Sequence, residues 1–172
     1  MPNQDRSISS KSCEKEVVLV YPGKYREANP QIPLSLLHVA SPLQREDYHV
    51  RIFDMRVENY EDLELGNPLF IGLSCMSGQQ IRYGLKLARK VREQNPLCPI
   101  VWGGVHPTLL PEQRAACDLV DVVVRGEAES VIVNLARELS AHKQLQLVKG
   151  ITYKAEGAIR SNPDSDLIDL NT

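Results

Sequence analysis

The sequence lacks the features that mark three common classes of protein. Its four cysteines are dispersed without a CxxC pair, so their spacing indicates neither a zinc site nor an iron–sulfur site. No apolar stretch approaches the roughly 20 residues that a membrane-spanning helix needs. The polar residues 1–15 contain no apolar segment of a secretory signal, so we expect a disordered leader and, by default, a cytoplasmic location.

An excess of charge of one sign is also missing. The formal net charge is −2 and the pI is about 6.1, which gives no reason to expect a surface for nucleic acid or for an anionic membrane. No GxGxxG or GxxxxGK[ST] motif stands at a strand-to-helix turn, which leaves a flavodoxin-like nucleotide or phosphate binder without support. With 172 residues, 42% of them hydrophobic and 24% charged, the chain has the size and composition of one α/β domain.

Five short apolar runs are each bounded by turn residues, as is typical of strands that are buried on both faces. They alternate with helical or loop-rich segments, which predicts a parallel sheet covered by helices on both faces. The predicted strands are residues 16–21, 50–54, 69–74, 99–103 and 120–125. Two further runs, residues 150–154 and 158–161, flank a turn that contains Gly157 and predict a C-terminal β-hairpin.

Apolar residues that recur at intervals of three and four predict four helices. The predicted helices are residues 33–41, 78–93, 108–116 and 127–139. The first should kink or end near Ser41, because a proline inside a helix, here Pro42, costs about 3 kcal/mol. The third is short and contains Pro111, which makes it the weakest of the four.

Two glycine-containing turns follow predicted strands. In the first, Gly103 and Gly104 allow a positive φ and a close backbone approach, so a branched side chain at Gly104 should occupy the space of a ligand. Pro107 should keep His106 out of the helical region, and His106 either contacts a ligand or is only a turn residue. In the second turn, residues 126–129, Glu127 and Glu129 are better explained as caps of the following helix than as groups for acid–base catalysis. The two turns should meet at the carboxyl edge, where open α/β sheets bind ligands.

Five sequence blocks occur in a fixed order and together resemble the N-terminal cobalamin (B12)-binding domain of B12-dependent radical SAM proteins. The blocks are residues 33–40, 48–54, 71–80, 102–112 and 123–129. The resemblance runs from about Glu16 to Pro163. It implies a Rossmann-like, flavodoxin-type α/β fold in which a corrin lies on the carboxyl edge of the five-stranded parallel sheet. The nucleotide tail of the cobalamin would then run down toward the core.

The resemblance also implies which residues line the cobalamin. A corrin is a broad apolar disc fringed with amides, so its site needs small residues for close approach and hydroxyl or backbone groups that pair with the amides. The implied cofactor-binding residues are Tyr21, Pro22, Gly23, Ser74, Cys75, Met76, Ser77, Gly78, Gln79, Gly103, Gly104, Val105, His106, Pro107, Thr108, Gly126 and Glu127. None of them is assigned a catalytic or metal-binding role.

No histidine stands where related carriers place a cobalt ligand. Corrinoid carriers of the methionine-synthase type have a DxHxxG motif directly after the first strand, and here residues 21–26 read YPGKYR. We therefore expect the cobalamin to bind without histidine coordination, with its own base displaced into the protein.

The chain has no CxxxCxxC motif, so the [4Fe–4S] cluster and S-adenosylmethionine of the family would belong to a radical SAM domain, in cis or in trans. The expected organisation is a leader (1–15), a cobalamin-binding domain (16–142) and a hairpin with a linker toward the absent radical SAM domain (143–172). By itself the chain should bind without catalysing, as a module of a methyltransferase-like enzyme. The alternatives are a stand-alone corrinoid carrier or sensor that docks to a partner protein, and a degenerate domain that binds nothing.

Overall fold

Seven strands form one sheet in the computed structural model, which describes residues 15–142 and 144–166. The strands are β1 (Glu16–Tyr21), β2 (His49–Asp54), β3 (Phe70–Ser74), β4 (Ile100–Gly103), β5 (Val122–Val124), β6 (Ile151–Ala155) and β7 (Ala158–Ser161). Their order is β2-β1-β3-β4-β5-β6-β7. The pairs among β1 to β5 are parallel, whereas β6 and β7 are antiparallel to their neighbours.

The predicted five-stranded parallel sheet and C-terminal hairpin are therefore confirmed. The hairpin does not stand apart, because β6 pairs with β5 and continues the same sheet. Residues 1–14 of the predicted leader and residues 143 and 167–172 of the predicted linker segment lie outside the described residues.

The described residues contain five α-helices. They are α1 (Leu34–Arg45), α2 (Gln79–Gln94), α3 (Val105–Leu109), α4 (Pro111–Ala115) and α5 (Ile132–Arg137). A 3-10 turn, Ala128–Ser130, precedes α5, and a π-helical turn, Glu138–His142, follows it. Further 3-10 turns cover Tyr60–Asp62 and Leu145–Leu147. In this part of the chain no helix is long and apolar enough to cross a membrane.

Each face of the sheet has its own hydrophobic core. α1 and α5 pack on one face, which includes the buried side chains of Leu19, Val101 and Val124. α2 and α4 cover the other face, where Trp102 is completely buried. Neighbouring residues of β4 and β5 alternate between the two cores, as the period-two geometry of a strand requires. The prediction that both faces are covered is confirmed.

The first helix continues past the position at which we predicted it to kink or end. α1 runs to Arg45 with Pro42 inside it. Pro42 removes one backbone donor, but the next residue, Leu43, is fully buried and anchors the last turn against the core. After the helix, Asp47 adopts a φ of 60°, a left-handed conformation that aspartate tolerates better than most residues.

The segment after β4 differs most from the prediction. The predicted single helix is two short helices, because Pro111 disfavours the helical region for Leu110, whose φ is −132°. His106 lies inside α3, so the expectation that Pro107 would exclude it from a helix is wrong. Pro107 is the third residue of that helix, where its missing N–H would have had no partner within the helix.

A buried ion pair closes the carboxyl end of β2. The guanidinium of Arg56 donates two hydrogen bonds to the Asp54 carboxylate, at 2.9 and 2.7 Å. It also donates to the carbonyl oxygen of Gln31 and lies 4.1 Å from the ring centre of Tyr21. The hydrogen bond to Asp54 raises the pKa of Arg56 above its ordinary value. The guanidinium is therefore charged, and Asp54 is the group that balances this buried charge.

Candidate ligand-binding site

A groove of about 260 Å³ opens at the carboxyl edge of the parallel strands, between α1 and α5. This volume is just below the roughly 300–1,000 Å³ of pockets that enclose a whole small molecule, so it suits one part of a larger ligand. The residues of its floor and walls are Leu19, Gly72, Val101 and Val124 from the sheet and Leu36, Val39 and Ile132 from the helices.

Two hydroxyl groups meet at the mouth of the groove. The Oγ of Ser74, at the end of β3, lies 3.2 Å from the Oγ of Ser35 in the first turn of α1. Glu127 and Glu129 also line the groove here, and Glu129 Oε1 lies 3.4 Å from Nδ1 of His38 on α1. The groove therefore offers polar partners at its mouth and aliphatic surface below them.

The two glycines after β4 have different roles. Gly104 has a φ of +102°, and a Cβ there would lie 2.6 Å from the carbonyl oxygen of Cys75. A side chain at Gly104 would therefore disturb the backbone itself, which corrects the expectation that it would only fill ligand space. A Cβ at Gly103 would meet only the Cβ of Val124, at 4.0 Å. Because Gly103 lines the groove, its missing side chain leaves room for a ligand.

Thr108 joins the turn after β4 to the turn after β5. Its hydroxyl donates to the carbonyl oxygen of Gly104 at 2.8 Å and accepts from the backbone N–H of Gly126 at 3.1 Å. One side chain thus fixes the two glycine turns relative to each other. The structure brings together the two turns that the sequence predicted to be neighbours.

His106 is turned toward a buried arginine. Its Nε2 lies 3.0 Å from Nη2 of Arg114, whose guanidinium carbon is 4.9 Å from the ring centre of Trp102. A guanidinium can only donate hydrogen bonds, so Nε2 accepts and the proton of the neutral imidazole lies on Nδ1. The Nε2 lone pair of His106 is therefore already occupied.

The predicted site residues do not all lie at the groove. Those that line it stand at the ends of three strands or just after them, and are Ser74, Gly103, Gly104, Gly126 and Glu127. Those that line a separate cavity of about 240 Å³, beside Arg56, are Tyr21, Pro22, Gly23 and Gln79. Both cavities include residues at the carboxyl ends of parallel strands, so they share one edge of the sheet.

The other predicted site residues differ in exposure. Those exposed on the carboxyl edge are Met76, Ser77, Gly78 and Val105. Pro107 and Cys75 are buried. Cys75 belongs to the core on the Trp102 face, and burial raises the pKa of its thiol to about 12. Cys75 therefore packs in the core and does not line the groove.

The floor and walls of the groove are the part that sequence reasoning missed. The sequence pattern assigns Leu19, Val101 and Val124 only to strands. The alternation of side chains along each strand could have placed all three on one face of the sheet. On α1, Ser35 and Val39 lie four residues apart, so both face the groove. These periodicities give faces, but a gap between α1 and α5 becomes visible only when the helices are packed.

The sequence is similar to a known domain and to two longer proteins. A family model described as the B12 binding domain matches residues 28–136. An uncharacterized methyltransferase of Pyrococcus horikoshii is 31% identical over an alignment of 145 residues, and the match covers 79% of this chain and 31% of that protein. An anaerobic magnesium-protoporphyrin IX monomethyl ester cyclase of Synechocystis is 30% identical over an alignment of 141 residues, and the match covers 74% of this chain and 27% of that protein. The chain thus spans less than a third of the length of either relative.

Solved structures with a similar fold include two radical S-adenosylmethionine enzymes. OxsB, a cobalamin-dependent enzyme solved with aqua-cobalamin and S-adenosylmethionine bound, is 26% identical and matches with a TM-score of 0.70 over 89% of this chain and 22% of OxsB. The methyltransferase TsrM of Kitasatospora setae is 18% identical and matches with a TM-score of 0.69 over 87% of this chain and 30% of TsrM. Both matches confirm the predicted Rossmann-like fold.

Proposed function

This chain belongs to the B12-binding domain family, and we propose that it holds a cobalamin as the corrinoid-binding module of a methyltransferase-like radical SAM enzyme. The similarity to OxsB, which was solved with cobalamin bound, supports the ligand. The similarity to a methyltransferase supports the class of reaction. The observation that carries the proposal is the groove at the carboxyl edge, open at Gly103. A bound cobalamin supplies a cobalt centre that can carry a methyl group.

The residues around the groove fit the two parts of a cobalamin. The narrow nucleotide tail would enter the groove, whose floor is formed in part by Leu19 and Val101. The corrin would lie across the edge on the exposed side chains of Met76 and Val105. Hydroxyl and backbone groups at the mouth would pair with its amides, and Gly103 would allow the close approach.

We propose a radical SAM domain, in cis or in trans, as the partner. Residues 162–166 run beside the mouth of the groove, since residues 164–166 line a cavity together with Gly126 and Glu127, which also line the groove. The Arg125 guanidinium donates to the carbonyl oxygen of Asn162 and to the Asp164 carboxylate, and the Gly150 N–H donates to Pro163. This segment therefore lies at the carboxyl edge, which a radical SAM domain would have to face in order to reach the corrin. The alternative is a stand-alone carrier or sensor that docks to a partner protein through the hairpin and tail from residue 151 onward. Binding of cobalamin by a chain whose partner has no CxxxCxxC motif would favour it.

The first prediction is that the purified chain retains cobalamin. After incubation with hydroxocobalamin and desalting, the protein should keep about one equivalent of the visible cobalamin absorbance. Trp102 is the only tryptophan in the sequence and stands directly before Gly103. Since cobalamin absorbs where tryptophan emits, the fluorescence of Trp102 should fall as cobalamin binds. A protein that elutes without cobalamin and keeps its full fluorescence would exclude this function.

We also propose that no histidine coordinates the cobalt. The Nε2 of His106 is occupied by a guanidinium. His49 begins β2 and thus lies at the opposite, amino edge of the sheet. His142 closes the π-helical turn that follows α5. His38 stands beside the mouth, where its Nδ1 pairs with Glu129.

Electron paramagnetic resonance of the bound cob(II)alamin checks this prediction. The wild-type spectrum should show no nitrogen superhyperfine splitting along the axial direction, and His38→Ala and His106→Ala should leave the spectrum unchanged. A nitrogen triplet that disappears in one variant would identify that histidine as the ligand. A triplet that persists in both variants would show that the cofactor's own base is bound, which also contradicts the prediction.

A further inference from the structure

The interior of the groove is almost entirely aliphatic. Its floor includes the side chains of Leu19, Val101 and Val124, and its walls are aliphatic side chains of α1 and α5. The backbone groups of the strands below it point sideways within the sheet, where β1, β3, β4 and β5 each have a hydrogen-bonded neighbour on both sides. The polar side chains that line the groove are the hydroxyls of Ser35 and Ser74 and the carboxylates of Glu127 and Glu129, and all four stand at its mouth.

From this composition we infer that the groove selects the lower base of the corrinoid and favours a benzimidazole-type base over an adenine-type base. The inference rests on the proposed function and adds a specificity to it. A benzimidazole that is off the cobalt has hydrocarbon flanks and one free ring nitrogen, which a hydroxyl of Ser35 or Ser74 can reach as donor. This base therefore matches a groove that is aliphatic below and polar at its mouth.

An adenine in the same place brings an exocyclic amine and additional ring nitrogens. Inside the groove these atoms would lie against Leu19 and Val101, whereas the polar side chains of its lining, Ser35, Ser74, Glu127 and Glu129, stand at the mouth. A polar group that leaves water without gaining a partner weakens binding by roughly 5- to 150-fold. We therefore expect the adenine-containing corrinoid to bind about 10- to 100-fold more weakly than cobalamin.

Equilibrium dialysis of the full chain against three corrinoids tests this selection. The three are cobalamin, its analogue with adenine as the lower base, and cobinamide, which has no nucleotide. We expect cobalamin to bind most tightly and both others more weakly. Equal affinities for cobalamin and the adenine analogue would overturn the selectivity and leave the proposed function standing. Equal affinity for cobinamide would show that no base occupies the groove and would overturn the inference as well, whereas no binding of any corrinoid would overturn both.

Two matched variants in β5 test whether the preference for cobalamin over the adenine analogue arises in this groove. Val124→Thr places a hydroxyl in the groove, whereas Val123→Thr makes the same change on the opposite face of the same strand. Val124→Thr should reduce the preference for cobalamin over the adenine analogue about tenfold by giving adenine a partner, and Val123→Thr should leave the ratio unchanged. Thermal unfolding of both variants controls for stability. An unchanged ratio in a folded Val124→Thr protein, or an equal change in both variants, would overturn the assignment to this groove.

Discussion

Replacing Gly103 with leucine should weaken cobalamin binding about 100-fold and leave the fold intact. The backbone at this position needs no glycine for its own packing, because a Cβ would meet nothing closer than the Val124 Cβ at 4.0 Å. A leucine side chain would therefore extend into the groove and occupy the volume of the nucleotide tail. Quenching of Trp102 fluorescence by added cobalamin measures the affinity.

Three controls distinguish a loss of space for the ligand from a loss of folding. Gly103→Ala adds one carbon and should have an intermediate effect, so the loss of affinity should rise with side-chain volume. Ala116→Leu adds three carbon atoms, one fewer than Gly103→Leu, at an exposed position after α4 on the other face of the sheet, and this variant should bind normally. Urea unfolding should be similar for all of these proteins. A folded Gly103→Leu protein that binds as tightly as the wild type would remove the groove from the site.

Removing the Asp54 carboxylate should destabilise the protein by about 3 kcal/mol. The side chains of Asp54 and Arg56 are only 12% and 7% exposed, so Asp54→Ala leaves a buried guanidinium without its charged partner. The pair also supports the tip of β1, since the Arg56 chain packs against Gly23 and its guanidinium stacks on Tyr21. Urea denaturation of Asp54→Ala and wild type measures the difference in the free energy of unfolding.

The loss should come from the unpaired charge and not from the missing carboxylate as such. The double variant Asp54→Leu with Arg56→Met replaces both groups by apolar ones and should recover much of the stability. Asp118→Ala removes the partner of Lys154 from a fully exposed position and should have little effect. A stability of Asp54→Ala close to that of the wild type would show that Arg56 finds another partner or water.

Much of the architecture was predictable because apolar runs and glycine turns report directly on a parallel sheet. The strand bounds differ from the predicted ones by at most two residues at either end, as at β5, where Val120 and Asp121 precede the strand. The turns at Gly103 and Gly126 were placed correctly beside each other, since the carboxyl ends of parallel strands share an edge. These features depend on local pattern and on chain connectivity.

What the sequence could not predict depends on contacts between distant side chains. The helical spacing predicted that Leu43 faces inward, and its burial confirms this, but whether that burial outweighs the local cost of Pro42 depends on tertiary packing. The pairing of His106 with Arg114 requires two short helices to fold back on each other across Leu110. The groove itself is a gap between packed helices, and no single residue in the sequence predicts it.

The link made by Thr108 has a consequence for the rate of binding. Because its hydroxyl holds the Gly104 and Gly126 turns together in the folded protein, the mouth of the groove is already shaped before a ligand arrives. These two turns do not have to become ordered during the encounter, so their fixed arrangement should favour fast association. Corrinoids of different affinity should then differ chiefly in how long they stay bound.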